Sequence, residues 1–384
     1  MSIFLGIGAG PIQTGIFLSG AYKSNRFSEI VIAEVDEEIV NAIRESDGQI
    51  TINIATTHSI EKEIIKGIKI LNPNNSEDKK SLMEIASQAD EIATALPSVK
   101  IFPIIAKWLK PALEQNSENK RFIYTAENNN HAAELLQESI NTNLPNSFFL
   151  NTVIGKMSGV VSGDELKDRN LSPLCPNLSR AHLVEEFNKI LISNAPGIEK
   201  RKVQGLYVKQ NLYPFEEAKL YGHNAIHFLL GMLGEESGEI YMNDIRKHPE
   251  LMDFARKAFI EESGEALCKK YKGLDVLFTR EGFAEYAEDL LQRMTNPYLH
   301  DKVERIIRDP LRKLGWDDRV VGTMRMVISE GIQPIRLAKG GYLAVTKLFG
   351  TNPEIIKKEL SEIWPKPWTD IHEKLYNYII SQAH

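Results

Sequence analysis

The sequence predicts an α/β fold, a Rossmann-type doubly wound N-terminal domain followed by a mainly α-helical C-terminal domain. Three observations carry that expectation. The chain opens with an apolar run that breaks into glycines and resumes with helical spacing, "SIFLGIGAGPIQTGIFLSGAY". Further apolar runs then alternate with helix-like stretches over the first 150 residues or so, the rhythm of a parallel sheet wound with helices. Beyond about residue 214 the three-and-four spacing of helices takes over, as in "ELMDFARKAFIEESGEALCKKY" and "FAEYAEDLLQRM". With 384 residues there is room for two domains of ordinary size, drawn here as 1–205 and 206–384.

Element by element, Ile3–Ile7 is the first strand. Gly8 permits the sharp turn that leaves it, and Gly10, with no Cβ, lets a pyrophosphate approach the backbone. Pro11 suits the first helical position, where a missing N–H costs nothing, and Ile12 follows it. The free N–H groups at this helix end favour a diphosphate. The pattern departs from GxGxxG, because Gln13 holds the third glycine position and the next glycine is Gly15. A bare turn remains the competing reading of this loop.

A second strand, Ile30–Ala33, ends in Glu34, placed to accept both hydroxyls of a ribose and to repel a 2′-phosphate. The competing reading is a solvated acid in a charged loop, since Asp36, Glu37 and Glu38 follow. Strands at Glu91–Ala95 and Arg121–Ala126 end in Ala95 and Leu96, and in Glu127 and Asn128. Ligands of doubly wound sheets bind beyond strand C-termini, so Ala95, Leu96 and Glu127 are expected at the cofactor. "FFLNTVIGKMSGVV" is a further strand with a turn at Gly155, and "VQGLYVKQNL" extends or covers the sheet. A cleft between the two domains is the expected substrate site.

Composition excludes several classes. A net charge of −6 leaves no nucleic-acid footprint. No apolar run approaches the roughly 18 residues of a membrane helix. The N-terminus lacks the marks of a signal peptide, so a cytoplasmic location is expected. Cys175 and Cys268 belong to no CxxC pair, and His223 with His227 lacks a third ligand, so no metal is expected.

The stretch "FEEAKLYGHNAIHFLLG", residues 215–231, holds the candidate chemistry. On an α-helix with Lys219 at zero, His227 falls at about 80° and Asn224 at about 140°, one broad face. A lysine whose pKa burial lowers can act as general base. Asparagine and histidine can donate to a developing alkoxide. An exposed amphipathic face fits the same spacing, and spacing alone does not decide between them.

Lys219, Asn224 and His227 fit the K-x4-N-x2-H signature of the polyol-specific long-chain dehydrogenases, and the chain resembles that family, in particular its mannitol-1-phosphate 5-dehydrogenase branch. The resemblance includes "GAGPIQTGIF", "IAEVDEEIVNAI", "TAEN", "EESGEALCKKY", "NPYLHDKVERIIRDPLRKL" and "DDR" at 317–319, spanning residues 1 to about 345 in order. It implies metal-free, NAD-dependent interconversion of a polyol phosphate and a ketose phosphate by a monomer, mannitol 1-phosphate and fructose 6-phosphate being the default pair. By position, Lys219 is the acid/base, Asn224 and His227 polarise the reacting oxygen, Asn128 lies near the reacting carbonyl and Arg293 anchors substrate. The chain departs from the family at "IGKM", 154–157, where Gly155 replaces an aspartate and Lys156, a candidate substrate contact, replaces an arginine. That change leaves two rivals open: the same chemistry on another phosphorylated or carboxylated sugar, and a non-catalytic NAD-binding sensor.

Overall fold

The structure is a computed structural model that describes residues 2–383. The chain divides into two compact units, Met1–Tyr213 and Pro214–His384. In the first unit, β1 (Ile3–Ile7), β2 (Glu29–Ala33), β5 (Ile68–Leu71), β6 (Glu91–Thr94), β7 (Arg121–Thr125), β8 (Ser147–Val153), β11 (Ile190–Ser193) and β12 (Leu206–Lys209) form one sheet, in the order β12-β11-β8-β7-β6-β1-β2-β5. The pairings from β8 through β5 are parallel, and the order reverses at β1, between β6 and β2. β11 joins β8 antiparallel and carries β12 parallel. That pairing moves the unit boundary: expected after residue 205, it falls after 213, because Leu206–Lys209 completes the first unit's sheet.

β1 shows why both sheet faces must be covered. Ile3, Leu5 and Ile7 point into one apolar cluster with Leu82, Phe102 and Leu109, while Phe4 points into the other with Ile16, Phe17 and Tyr124. The helices that contribute to these two clusters are α1 (Ser19–Ser24), α2 (Glu37–Glu45), α3 (Ser76–Gln88), α4 (Phe102–Gln115) and α5 (Ala132–Ile140). A π-helical segment, Gln13–Leu18, precedes α1.

A second sheet was not foreseen. β3 (Ile50–Ala55), β4 (Ile60–Ile65), β9 (Ser158–Ser162) and β10 (Arg180–Glu185) form it in the order β4-β3-β10-β9. The alternation in "ITINIA" and "RAHLVE" was a readable signal for it. A short helix, α6 (Asp164–Asp168), lies between β9 and β10.

The second unit is helical. α7 (Tyr213–Glu217), a π segment Ala218–Asn224 and α8 (Ala225–Glu236) make one continuous run. α9 (Pro249–Lys257), a second π segment Ala258–Gly264 and α10 (Glu265–Lys270) make another. There follow α11 (Arg280–Met294), α12 (Val303–Ile307), α13 (Pro310–Lys313), α14 (Val321–Ser329), α15 (Ile335–Phe349), α16 (Pro353–Ile363) and α17 (Asp370–Ile380). α8 is apolar nearly all round and is the buried centre, with Ile226, Phe228, Leu229 and Leu230 shielded from water. Its glycines admit neighbours: a side chain at Gly231 would strike Ile306 and Ile307. The last forty residues fold back onto this unit. Trp364 donates its indole N–H to the Leu314 carbonyl at 2.9 Å, and His372 stacks on Trp316 at 4.2 Å. No helix among the described residues is long and apolar enough to cross a membrane.

Candidate active site

The first unit carries a cleft of about 640 Å³ beyond the C-terminal ends of β1, β2 and β6. Gly8, Gly10, Pro11, Ile12, Glu34, Ala95 and Leu96 all line it, as expected of cofactor contacts. Gly8 has φ +91°, and a side chain there would sit 2.7 Å from the Ala95 carbonyl. A side chain at Gly10 would meet nothing within 4 Å, which is open space that a phosphate can take. These features fit a dinucleotide pyrophosphate lying across the loop.

Two expectations are corrected here. Glu34 is not free to grip both ribose hydroxyls. Its Oε2 accepts the Ala9 N–H at 2.7 Å, and its Oε1 accepts the N–H groups of Val35 and Asp36 at 2.7 and 2.9 Å. Three of roughly four acceptor positions are filled, leaving room for one hydroxyl. The same bond withdraws the Ala9 N–H from any phosphate. Glu127 does not line the cleft: its carboxylate accepts the Thr94 hydroxyl and the Leu96 N–H, both at 2.9 Å. Burial raises its pKa, and its bond to Leu96 fixes backbone that lines the cleft. Asn128, one residue on, is exposed at the end of β7.

Sequence reasoning missed the wall that β10 contributes. Arg180 and His182 line the same cleft. His182 Nδ1 lies 2.8 Å from the Thr14 hydroxyl. Burial, reinforced by the Arg180 charge, lowers the His182 pKa to about 4, so the ring is neutral at physiological pH. Lys156 is buried, and its ammonium donates to the Phe187 carbonyl at 2.9 Å.

The second unit holds the catalytic candidates, and its backbone changes the sequence argument. Lys219 and Asn224 lie in the π segment Ala218–Asn224. A π turn closes from residue i to i+5, so side chains five apart come round to the same side, where an α-helix would spread them. His227 follows one turn later on α8. The π segment is supported from outside: Ser263, in the second π segment, donates its hydroxyl to the Tyr221 carbonyl at 2.7 Å. Gly222 lets the ring of Phe259 approach, 3.0 Å from where a β-carbon would stand. Glu217 fastens the start of the run by accepting from Lys270 Nζ at 2.7 Å and the Tyr271 hydroxyl at 2.5 Å.

Burial lowers the Lys219 pKa to about 8, with the Arg319 charge adding to the effect and Glu216 opposing it. Burial takes His227 down to about 3, with help from Arg305, Arg319 and Lys313. The His227 Nε2 is buried with no hydrogen-bond partner among the described residues, as is the Nδ1 of His223. An orphaned neutral imidazole nitrogen is what a substrate oxygen would satisfy. Arg319, the last residue of "DDR", is the cation shared by these depressions and that of His223. Arg293 pairs with Asp289 at 2.9 Å, and its side chain is only 11% exposed. Among the described residues, no three or more His, Cys, Asp or Glu side chains gather as a metal site would require.

The chain is similar to several known proteins. Residues 211–352 match the mannitol dehydrogenase C-terminal domain. Mannitol-1-phosphate 5-dehydrogenase of Bacillus licheniformis is 28% identical over 367 residues, covering 92% of this chain and 90% of its own. The enzyme of that name from Lacticaseibacillus casei is 27% identical over 334 residues, covering 85% of this chain and 82% of its own. The fold is that of Pseudomonas fluorescens mannitol 2-dehydrogenase, solved as a ternary complex with NAD and D-mannitol. That structure matches with a TM-score of 0.72 at 14% identity, over 99% of this chain and 91% of its own. A D-sorbitol dehydrogenase in substrate-free form matches with a TM-score of 0.70 at 14% identity, over 92% of this chain and 80% of its own.

Proposed function

We propose, from the family that its C-terminal unit matches and the geometry of its two sites, that this chain is an NAD-dependent polyol dehydrogenase acting on a polyol phosphate. Mannitol 1-phosphate and fructose 6-phosphate are the expected pair, after the named activity of the relatives that match most of its length. The observation that carries the reading is in the second unit. A lysine with pKa lowered to about 8 shares a π turn with Asn224, one turn before a histidine whose buried Nε2 lacks a partner.

Each residue has a chemical task. Bound NAD supplies the hydride acceptor when the alcohol is oxidised. Near neutral pH, Lys219 exchanges protons readily, so it takes the hydroxyl proton in oxidation and returns it in reduction. Asn224 donates its amide N–H, and His227 its Nε2–H, to the oxygen that gains negative charge as its proton leaves. The His227 ring is neutral throughout, so it stabilises that oxygen as a hydrogen-bond donor and does not compete with Lys219 for the proton. Gly8, Gly10 and Pro11 shape the pyrophosphate site, and Glu34 gives its remaining acceptor position to a ribose hydroxyl.

Gly155 favours a second substrate as a rival within the same chemistry. It lies in the connection between β8 and β9, at a position where the resembled family carries an aspartate that this chain lacks. Purified protein assayed with NADH against fructose 6-phosphate, other ketose phosphates and keto acids tests the reading. Turnover of fructose 6-phosphate above the others supports it. Turnover of another sugar alone replaces the substrate, and no turnover of any, with NADH still bound, leaves the sensor.

A further inference from the structure

β10 faces the Gly-rich loop with alternate residues, and each of the three meets a specific partner. Val184 packs on Gly15, its γ-carbon 2.7 Å from where a β-carbon would stand. His182 meets the Thr14 hydroxyl. Arg180 reaches the N-terminus of α2, where its guanidinium pairs with Asp36 at 2.9 Å and with Glu38. Asp36 also caps α2 through its other oxygen, so its position is fixed. Arg180, Asp36 and Glu34 line one cleft, and the adenosine ribose of a dinucleotide binds at the end of the second strand.

A guanidinium therefore stands at the ribose end of the cleft with both of its forks committed to carboxylates. Arginine matches a phosphate bidentately as well as it matches a carboxylate. We infer that Arg180 is a withheld 2′-phosphate anchor: its ion pairs with Asp36 and Glu38 keep the site selective for the dinucleotide with a free 2′-hydroxyl, and releasing it admits the 2′-phosphorylated one. The inference rests on the dinucleotide reading of this cleft. It adds a second determinant to Glu34, which itself is largely occupied by backbone N–H groups.

Titration of the full chain with NADH and with NADPH, followed by nicotinamide fluorescence, tests it. The wild type binds NADH more tightly. D36N/E38Q keeps the α2 cap, because an asparagine oxygen still accepts the N–H groups of Glu38 and Ile39. In it the NADPH-to-NADH affinity ratio rises by about tenfold, the worth of one charge-assisted contact. Adding R180A to that pair of changes removes the gain. A ratio that stays within about twofold of wild type overturns the inference. So does a gain that survives R180A, since it would come only from removing negative charge. If the paired variant loses NADH binding as well, E38Q alone, at a half-exposed side chain, is read in the same way. A wild type that binds neither dinucleotide sinks the cofactor reading itself, a different result from an unmoved ratio.

Discussion

Gln13 Nε2 lies 1.8 Å from where a β-carbon on Gly6 would stand. The third glycine of a GxGxxG loop serves close packing of helix against strand. Here the crowding is relieved from the other side: the strand gives up its side chain at Gly6, and the helix keeps a fully buried Gln13 whose amide donates to the Ala93 carbonyl at 3.4 Å. Gly15, the next glycine after Gln13, admits Val184 of β10.

This pair makes the first prediction. Gly6→Ala forces the glutamine out of place, an overpacking error worth about 1–3 kcal/mol. Gln13→Gly empties the space above Gly6. Combined, the two changes are less destabilising than their sum, with a coupling of about 0.5–3 kcal/mol in a denaturant double-mutant cycle. Additive losses would mean that the two residues do not compensate each other.

That loop also marks what the sequence could reveal. Gly8, Pro11 and the strand ending before Glu34 were legible because backbone freedom and charge at a strand end follow from residue type. The side-chain traffic was not. Glu34 looked free, yet three backbone N–H groups leave it a single acceptor position, and Glu127 looked like a ligand, yet it accepts from Leu96. Arg180 and His182 reach the cleft across more than 140 residues of chain, a pairing no local pattern encodes. The face shared by Lys219 and Asn224 was inferred with α-helical angles, whereas both residues lie in a π segment with a different rise and turn.

The Lys219 pKa of about 8 sets a pH dependence with opposite signs in the two directions. Alcohol oxidation needs the neutral amine, so kcat rises as pH passes through about 8 and then levels. Ketone reduction needs the ammonium, so its rate is flat below that value and falls above it. Lys219→Ala abolishes both profiles while NADH affinity stays within about twofold. A profile for the variant that still turns over near pH 8 would assign the base to another group.

His227 carries the third prediction. Its Nε2 is unpartnered among the described residues; under the proposed function it donates to the substrate oxygen, so His227→Ala removes a donor used most when that oxygen is negative. Steady-state kinetics should show kcat lowered by about 100- to 1000-fold, the usual cost of one oxyanion donor. A change in KM alone would make His227 a binding contact with no share in the chemistry.

Ser263 tests whether the π turn itself matters. A π segment interrupts the regular i to i−4 ladder, and the Tyr221 carbonyl within it takes the Ser263 hydroxyl instead, 42 residues away. Ser263 is fully buried, so Ser263→Ala leaves the carbonyl with no replacement from solvent, at a cost of about 1–3 kcal/mol. Relief is open to that segment by relaxing toward an α-helix, which would swing Asn224 away from Lys219. The expected result is a fall in kcat larger than the loss of stability explains, with the pH midpoint near 8 displaced and NADH affinity unchanged. Ser263→Thr, which keeps the hydroxyl, restores the midpoint. Thermal unfolding and pH-rate profiles of both variants check it, and an alanine variant that loses stability but keeps kcat and midpoint would reduce Ser263 to a packing role.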